Sequence, residues 1–157
     1  MSKTRLSRCT KARRRAVSTV HEANLKGLDE DSEDLRQLVA ERRQLSTAHT
    51  TLPDYSAEIV NGAADRLFDI DMTLSQYSKD WALDRMPKPD LAILRCAVWE
   101  ILYNDDVPWK IAVDEAVGTA RAKSTPDSPA CINAALDANG QARENGRGDG
   151  LSSWLAT

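Results

Sequence analysis

The chain has little of what most enzymes and secreted proteins are built on. Its 157 residues hold only three cysteines, Cys9, Cys96 and Cys131. They are odd in number, far apart and never spaced C-x-x-C. This excludes a disulfide framework and a thiolate zinc site, and it suits reduced thiols in a cytosol. Two histidines, His21 and His49, are too few to build metal chemistry. No apolar run approaches the roughly 20 residues of a membrane span, and the basic beginning is not followed by an apolar signal core. A cytoplasmic chain that makes no membrane contact is expected. Sustained period-two alternation is missing, which argues against a sheet. There is no Gly-rich phosphate loop and no nucleophile with a His partner at a known spacing. Paired acids such as Asp105, Asp106, Asp114 and Glu115 can do acid–base work or hold Mg²⁺ in suitable company. Here they lack that company, so neither an enzyme, a metal nor a cofactor is expected.

Acid is also missing from one end. None of residues 1–15 is Asp or Glu, whereas Lys3, Arg5, Arg8, Lys11, Arg13, Arg14 and Arg15 are seven of the 21 basic residues. The remainder holds 14 bases against 24 acids, a split that the net charge of −3 conceals. Charge segregated in this way predicts a polyanion partner, because each neutralised phosphate releases counterions. Arginine adds two-pronged phosphate hydrogen bonds and stacking on bases. Cations at a helix N-terminus also oppose the macrodipole by a few tenths of a kcal/mol, so the cluster costs stability where it stands.

What is present is helical spacing. Residues 11–26 carry Ala12, Ala16, Val20 and Ala23 on one stripe, with Gly27 as a stop. The acidic stretch "DEDSED" at 29–34 reads as the start of a second helix running to about 47, or as a solvated loop. Pro53 and Asp54 open a third helix, in which Tyr55, Ile59, Ala63, Leu67, Ile70, Leu74 and Tyr77 form one uninterrupted apolar stripe. The short piece "WALDRM" follows. Pro89 suits the first turn of a helix carrying Leu94, Ala97, Val98, Ile101 and Leu102. Pro108 starts a helix with Ala112, Val113, Ala116, Val117 and Ala120. Ser128 and Pro129 read as cap and first residue of a last helix with Ile132, Ala135 and Leu136. After Asn139 the composition turns to Gly and polar residues. Residues 140–157 are therefore expected to be a disordered tail, residues 1–10 a flexible basic arm, and 11–139 the folded domain.

Several of these segments resemble the NusB family of transcription antitermination factors. "KARRRAV…HEANLKG" is similar to that family's first helix. "WALDRMPKPDLAILRCAVWEILYNDDVPWKIAVDEAV" is similar to its most recognisable segment, and "DSPACINAALD" to its closing helix. The resemblance covers about residues 10–27 and 53–138. It implies an all-α fold, a compact bundle of six or seven helices in two packed three-helix-type subbundles. It also implies a bacterial, non-catalytic protein that binds the single-stranded boxA element of nascent ribosomal RNA transcripts. Family members do so together with the ribosomal protein NusE, and help the RNA polymerase elongation complex resist termination.

Carried over residue by residue, the resemblance implies RNA contacts from Lys11, Arg13, Arg14, Arg15 and His21 on the first helix. Asp127, Ser128, Cys131 and Asn133 would add contacts from the loop and start of the last helix. Helical geometry places Lys11, Arg14 and Arg15 on one arc, with Arg13 turned aside. Ser128 serves equally well as an ordinary cap, and His21 as a buried imidazole. The sequence departs from the family where Cys131 replaces a large apolar or aromatic residue, Ala134 a glycine, and His21 a tyrosine or phenylalanine. Asp90, Arg95, Trp99 and Glu100 match positions at or near the family's NusE-binding face, with Leu91 in place of a usual basic residue; Trp99 is equally readable as a core residue. Some family members form a homodimer that covers the RNA face, and this composition allows a monomer or a pair. Two other functions fit the same helices: a protein-interaction module without RNA binding, or an accessory domain related to RNA cytosine methyltransferases. The latter calls for a catalytic domain that the 17 residues after residue 140 cannot supply.

Overall fold

The computed structural model describes residues 7–44, 51–78 and 81–148, with side chains to residue 146. Among them are seven α-helices, one 3₁₀ turn (Leu83–Arg85) and no strand. The helices are α1 (Arg8–Leu25), α2 (Ser32–Gln44), α3 (Asp54–Asp65), α4 (Leu67–Tyr77), α5 (Lys88–Tyr103), α6 (Trp109–Lys123) and α7 (Ser128–Gly148). Helices α1, α2 and α3 pack on one another, as do α5, α6 and α7, with α4 laid across α5 and α7. Helix α5 also packs on α1 and α3 and so joins the two groups. This all-α arrangement is the fold class expected from the sequence.

Local chemistry sets most of the boundaries. Ser7 Oγ accepts from Thr10 N at 3.0 Å and opens α1. Gly27, at φ 73°, closes it: its own N–H reaches Asn24 O at 3.1 Å and Leu28 N reaches Ala23 O at 2.7 Å. That pair of bonds satisfies the last carbonyls, and glycine alone takes the left-handed turn without strain. The acidic stretch does begin α2, where Asp31 accepts from Glu33 N at 2.9 Å. The expected extension of α2 to about residue 47 lies partly outside the described residues. In α5 every residue from Asp90 to Ile101 is buried, as a helix must be when neighbours pack around it.

The single helix expected over 54–77 is two. Arg66 leaves helical geometry at φ −120°, ψ 23°, and the chain bends between α3 and α4. Helix α3 buries Ile59, Val60, Ala63 and Ala64, and packs on α1 and α2; α4 buries Leu67, Ile70 and Leu74, and packs on α5 and α7. One straight rod cannot face both groups, so the bend falls where the apolar stripe changes partner. No proline marks the place, and hydrophobic spacing continues through it unaltered.

Helix α7 runs on to Gly148, past the Asn139 boundary where a disordered tail was expected. Three contacts hold the extension: Trp109 Nε1 donates to Glu144 Oε2 at 2.8 Å, Arg143 pairs with Asp105, and Gly140 lies against the Trp109 ring. The glycine that reads as a helix breaker gives the indole its space, since a Cβ at position 140 would fall inside the ring. Alanine is favoured over glycine in a helix by about 1 kcal/mol. Gly140→Ala should nevertheless destabilise the protein, by about 1–3 kcal/mol of overpacking, read as a lower midpoint in urea unfolding. The remainder of the expected tail, residues 149–157, and residues 1–6 of the expected arm lie outside the described residues; Arg8 to Thr10 are helical.

Candidate nucleic-acid interface

The basic arc of α1 is ordered. Lys11 is exposed and Arg14, Arg15 and His21 are half-buried, at spacings that put them along one side of the helix. Arg14 is on the side of α1 near α6, where a Cβ added at Gly118 would lie 4.0 Å from its Nη2. Its Nε is buried and takes no hydrogen-bond partner among the described residues. Asp114 and Arg121 stand one turn to either side of Gly118 on α6. Both line a groove of about 780 Å³ that continues past Ser124, Thr125 and Pro129 to Asn133 on α7. Helices α1 and α7 both pack on α6. Asp127, Cys131 and Asn133 are exposed, and of these Asn133 lines the groove. Arg121 was not among the residues predicted to bind RNA; in sequence it reads only as a basic residue favoured in the last turn of a helix.

Two predicted RNA-binding residues are engaged elsewhere. Arg13 donates from Nε to Glu100 Oε1 and Oε2 at 3.0 and 2.9 Å, stands 3.7 Å from Glu115 Oε1, and lies over the Tyr55 ring at 5.6 Å. Burial is the largest single influence and opposes its charge, but the Glu100 hydrogen bonds together with the charges of Glu100, Tyr55 and Glu115 outweigh it and raise the Arg13 pKa above its ordinary value. Its charge is therefore neutralised inside the fold. Ser128 is buried, and its hydroxyl donates to Asp90 Oδ2 at 2.7 Å. Ser124 also donates to Asp90, and Thr125 N donates to Ser128 Oγ at 3.2 Å. Ser128 thus ties the 124–128 loop to α5 instead of facing a ligand or capping α7.

The four residues matched to a protein-partner face are buried: Asp90 is 0% exposed, Arg95 6%, Trp99 8% and Glu100 3%. None offers a surface to a partner, and each has an internal task. Asp90 holds the loop. Glu100 binds Arg13 and accepts from the Tyr55 hydroxyl, whose pKa rises through burial and then through this carboxylate. Trp99 fills the space that Gly62 leaves on α3. Arg95 is a strut, with Nη1 to Asp29 Oδ2 at 2.8 Å and Nε and Nη2 to the two Asp71 oxygens at 2.9 and 2.8 Å. Burial pushes the Asp29 carboxyl up, yet hydrogen bonds from Arg95 and Asn24 bring it below its ordinary range. The signal was present in "LAILRCAVWEIL": charged residues walled by apolar neighbours on all sides have no exposed face to occupy.

Among the described residues no group of three His, Cys, Asp or Glu is placed to hold a metal ion, and no helix is long and apolar enough to cross a membrane. Cys9 and Cys131 are exposed and Cys96 is buried, all as free thiols.

Comparison with known proteins gives these helices a family. The NusB family model matches residues 10–140. The chain is 47% identical over 127 residues to the transcription antitermination protein NusB of Bifidobacterium longum subsp. infantis, covering 81% of this chain and 65% of that protein. It is 46% identical over 131 residues to the transcription antitermination protein NusB of Beutenbergia cavernae, covering 80% of this chain and 84% of the relative. The chain therefore spans just under two thirds of the Bifidobacterium longum relatives. Its fold is shared with T. maritima NusB at a TM-score of 0.66 and 22% identity, over 87% of this chain and 93% of that one. The relatives carry the name of an antitermination protein, not of an enzyme. With nearly half of the aligned residues identical and the helical architecture in common, this chain belongs to the NusB family.

Proposed function

We propose that this chain is a transcription antitermination factor of the bacterial cytoplasm that binds boxA-like single-stranded RNA together with the ribosomal protein NusE, and through it serves the RNA polymerase elongation complex. Family membership supports the process. The observation that supports the RNA contact is Arg14, half-buried with an Nε that takes no hydrogen-bond partner among the described residues, on the helix beside α6, whose Asp114 and Arg121 line a groove that reaches Asn133. A cation in that position gains by meeting a phosphate, since burial without a partner is costly. Lys11 and Arg15 extend the same arc, and His21 gives a flat ring at its end. Arg13 acts indirectly, by fixing α1 on α5. Asp127 repels phosphate and suits a base edge or the loop itself, while Asn133 lines the groove and Cys131 is exposed on the first turn of α7. The NusE contact falls to exposed residues and not to Asp90, Arg95, Trp99 or Glu100, which shape the scaffold beneath.

Fluorescence anisotropy with a boxA-like RNA, with and without NusE, tests this. Wild type should bind more tightly with NusE present, and its log K should fall with log salt by about 0.7 per phosphate contact. Arg14→Ala/Arg15→Ala should weaken binding and flatten that slope by about one contact or more. Identical curves for the two proteins would remove the arc from the mechanism and favour a protein-only interaction module.

A further inference from the structure

The loop that joins α6 to α7 does two things at once. Ser124, Thr125 and Pro126 line the groove of about 780 Å³ that Arg121 and Asn133 also line. The same loop is fastened to one carboxylate of α5. Ser124 and Ser128 both donate their hydroxyl hydrogens to Asp90, Ser128 reaching Oδ2 at 2.7 Å. The Ser128 oxygen is then fully used, since Thr125 N lies 3.2 Å from it and Thr125 Oγ1 2.7 Å. With the Ser128 hydrogen committed to Asp90, the Thr125 hydroxyl is the donor in that last bond. Ser128 N closes the turn on Thr125 O at 3.1 Å. Three hydroxyls therefore hang, directly or through one another, from a side chain that is 0% exposed.

Stability alone does not account for such an arrangement. A carboxylate sealed from water carries a desolvation cost, and well-packed apolar residues in place of buried ionic groups are often neutral or stabilising. What the carboxylate supplies and an apolar side chain cannot is direction. Its two oxygens accept at the same time, one hydroxyl from each end of a short loop, and so fix the backbone between them. That backbone is one wall of the groove.

We propose that Asp90 is the positioning residue of this groove: it holds the 124–128 loop in place as the wall, and so sets RNA affinity from beneath without touching RNA. The proposal rests on the reading that RNA is bound at this groove. A loop cut from its tether forms the wall for only part of the time, and apparent affinity falls by that fraction.

Asp90→Asn in the full chain tests this. The amide keeps the shape of the carboxylate but only one acceptor oxygen, so it holds one hydroxyl as before and not both. Fluorescence anisotropy with a labelled boxA-like RNA should show about tenfold weaker binding than wild type at every salt concentration. The slope of log K against log salt should be unchanged, because no phosphate contact is lost. The Thr125 and Ser128 amides should exchange hydrogen about tenfold faster, reporting the same opening of the loop. Asp90→Asn/Ser128→Ala should bind no more weakly than Asp90→Asn, since both changes cut one tether. Ser128→Ala alone should reproduce the weaker binding and the unchanged slope, and it decides the matter if circular dichroism shows Asp90→Asn unfolded. A folded variant with wild-type affinity would confine Asp90 to stability and overturn the proposal, as would a reduced salt slope or additive losses in the double variant. Those outcomes leave RNA binding by the wild type intact; a wild type that binds no RNA would instead overturn the underlying reading, and this proposal with it.

Discussion

Glu100→Ala should cost about 3–5 kcal/mol of folding stability, the penalty for breaking a buried ion pair and stranding one charge. The stranded groups are two. Arg13 loses both of its bonds to Glu100, at 2.9 and 3.0 Å, and the Tyr55 hydroxyl loses its acceptor. Glu115, at 3.7 Å from Arg13, is beyond hydrogen-bond length and does not substitute for it. Urea unfolding followed by circular dichroism measures the loss. Replacing both charges, as in Arg13→Met/Glu100→Leu, should recover most of it, because an apolar pair avoids the desolvation penalty of two ions. The recovered double variant should also keep the salt slope of wild-type RNA binding, since a positioning residue makes no phosphate contact. A reduced slope in a fully folded double variant would put Arg13 back among the RNA ligands.

Arg95→Met should be about as severe, again roughly 3–5 kcal/mol at neutral pH, because two carboxylates, Asp29 and Asp71, lose one guanidinium. Its pH dependence separates it from simple repacking. In wild type the folded-state pKa of Asp29 is depressed. Its contribution is therefore present above the ordinary carboxylate pKa of about 4 and is lost as pH falls through the lower folded value. In Arg95→Met that depression is gone, and protonating Asp29 relieves an unpaired buried charge. The gap in stability between the two proteins should shrink steadily from pH 7 toward pH 3. A gap that stays constant with pH would mean that Arg95 matters for its packing volume and not for its charge. Asp29→Asn in the wild-type background should flatten the same acid limb.

Both predictions rest on residues whose place in the fold was legible and whose partners were not. The pattern in "LAILRCAVWEIL" makes α5 a helix with no polar face, and burial of Arg95 and Glu100 follows from it. That Glu100 meets Arg13 from α1, or that Arg95 reaches Asp29 in a loop and Asp71 on α4, depends on how helices distant in sequence cross. Periodicity assigns a residue to a face; it does not say which helix arrives there. Matching Asp90, Arg95, Trp99 and Glu100 to a docking face took chemical character for exposure. Trp99 and Asp90 show the cost of that step, one filling the space beside Gly62 and the other fastening Ser124 and Ser128. The shared side of Lys11, Arg14 and Arg15 was legible because they follow helical spacing on a helix whose buried stripe is mostly alanine and valine.

By itself the sequence determined the all-α fold class, where most helices begin, and that a cluster of cations, Arg8, Lys11 and Arg13 to Arg15, falls on the first of them. Proline, serine and glycine act on their own few residues, and charge follows composition. Only the tertiary structure decided that the helix from Asp54 breaks at Arg66, that α7 continues past Gly140 along Trp109, and that Arg13 is neutralised while Arg14 keeps an unpartnered nitrogen. Each of those depends on what lies across a packed interface: a straight helix bends when its apolar stripe must serve two partners, a glycine stabilises a helix when an indole needs the room, and an arginine is spent or available according to whether a carboxylate from elsewhere in the chain comes within reach.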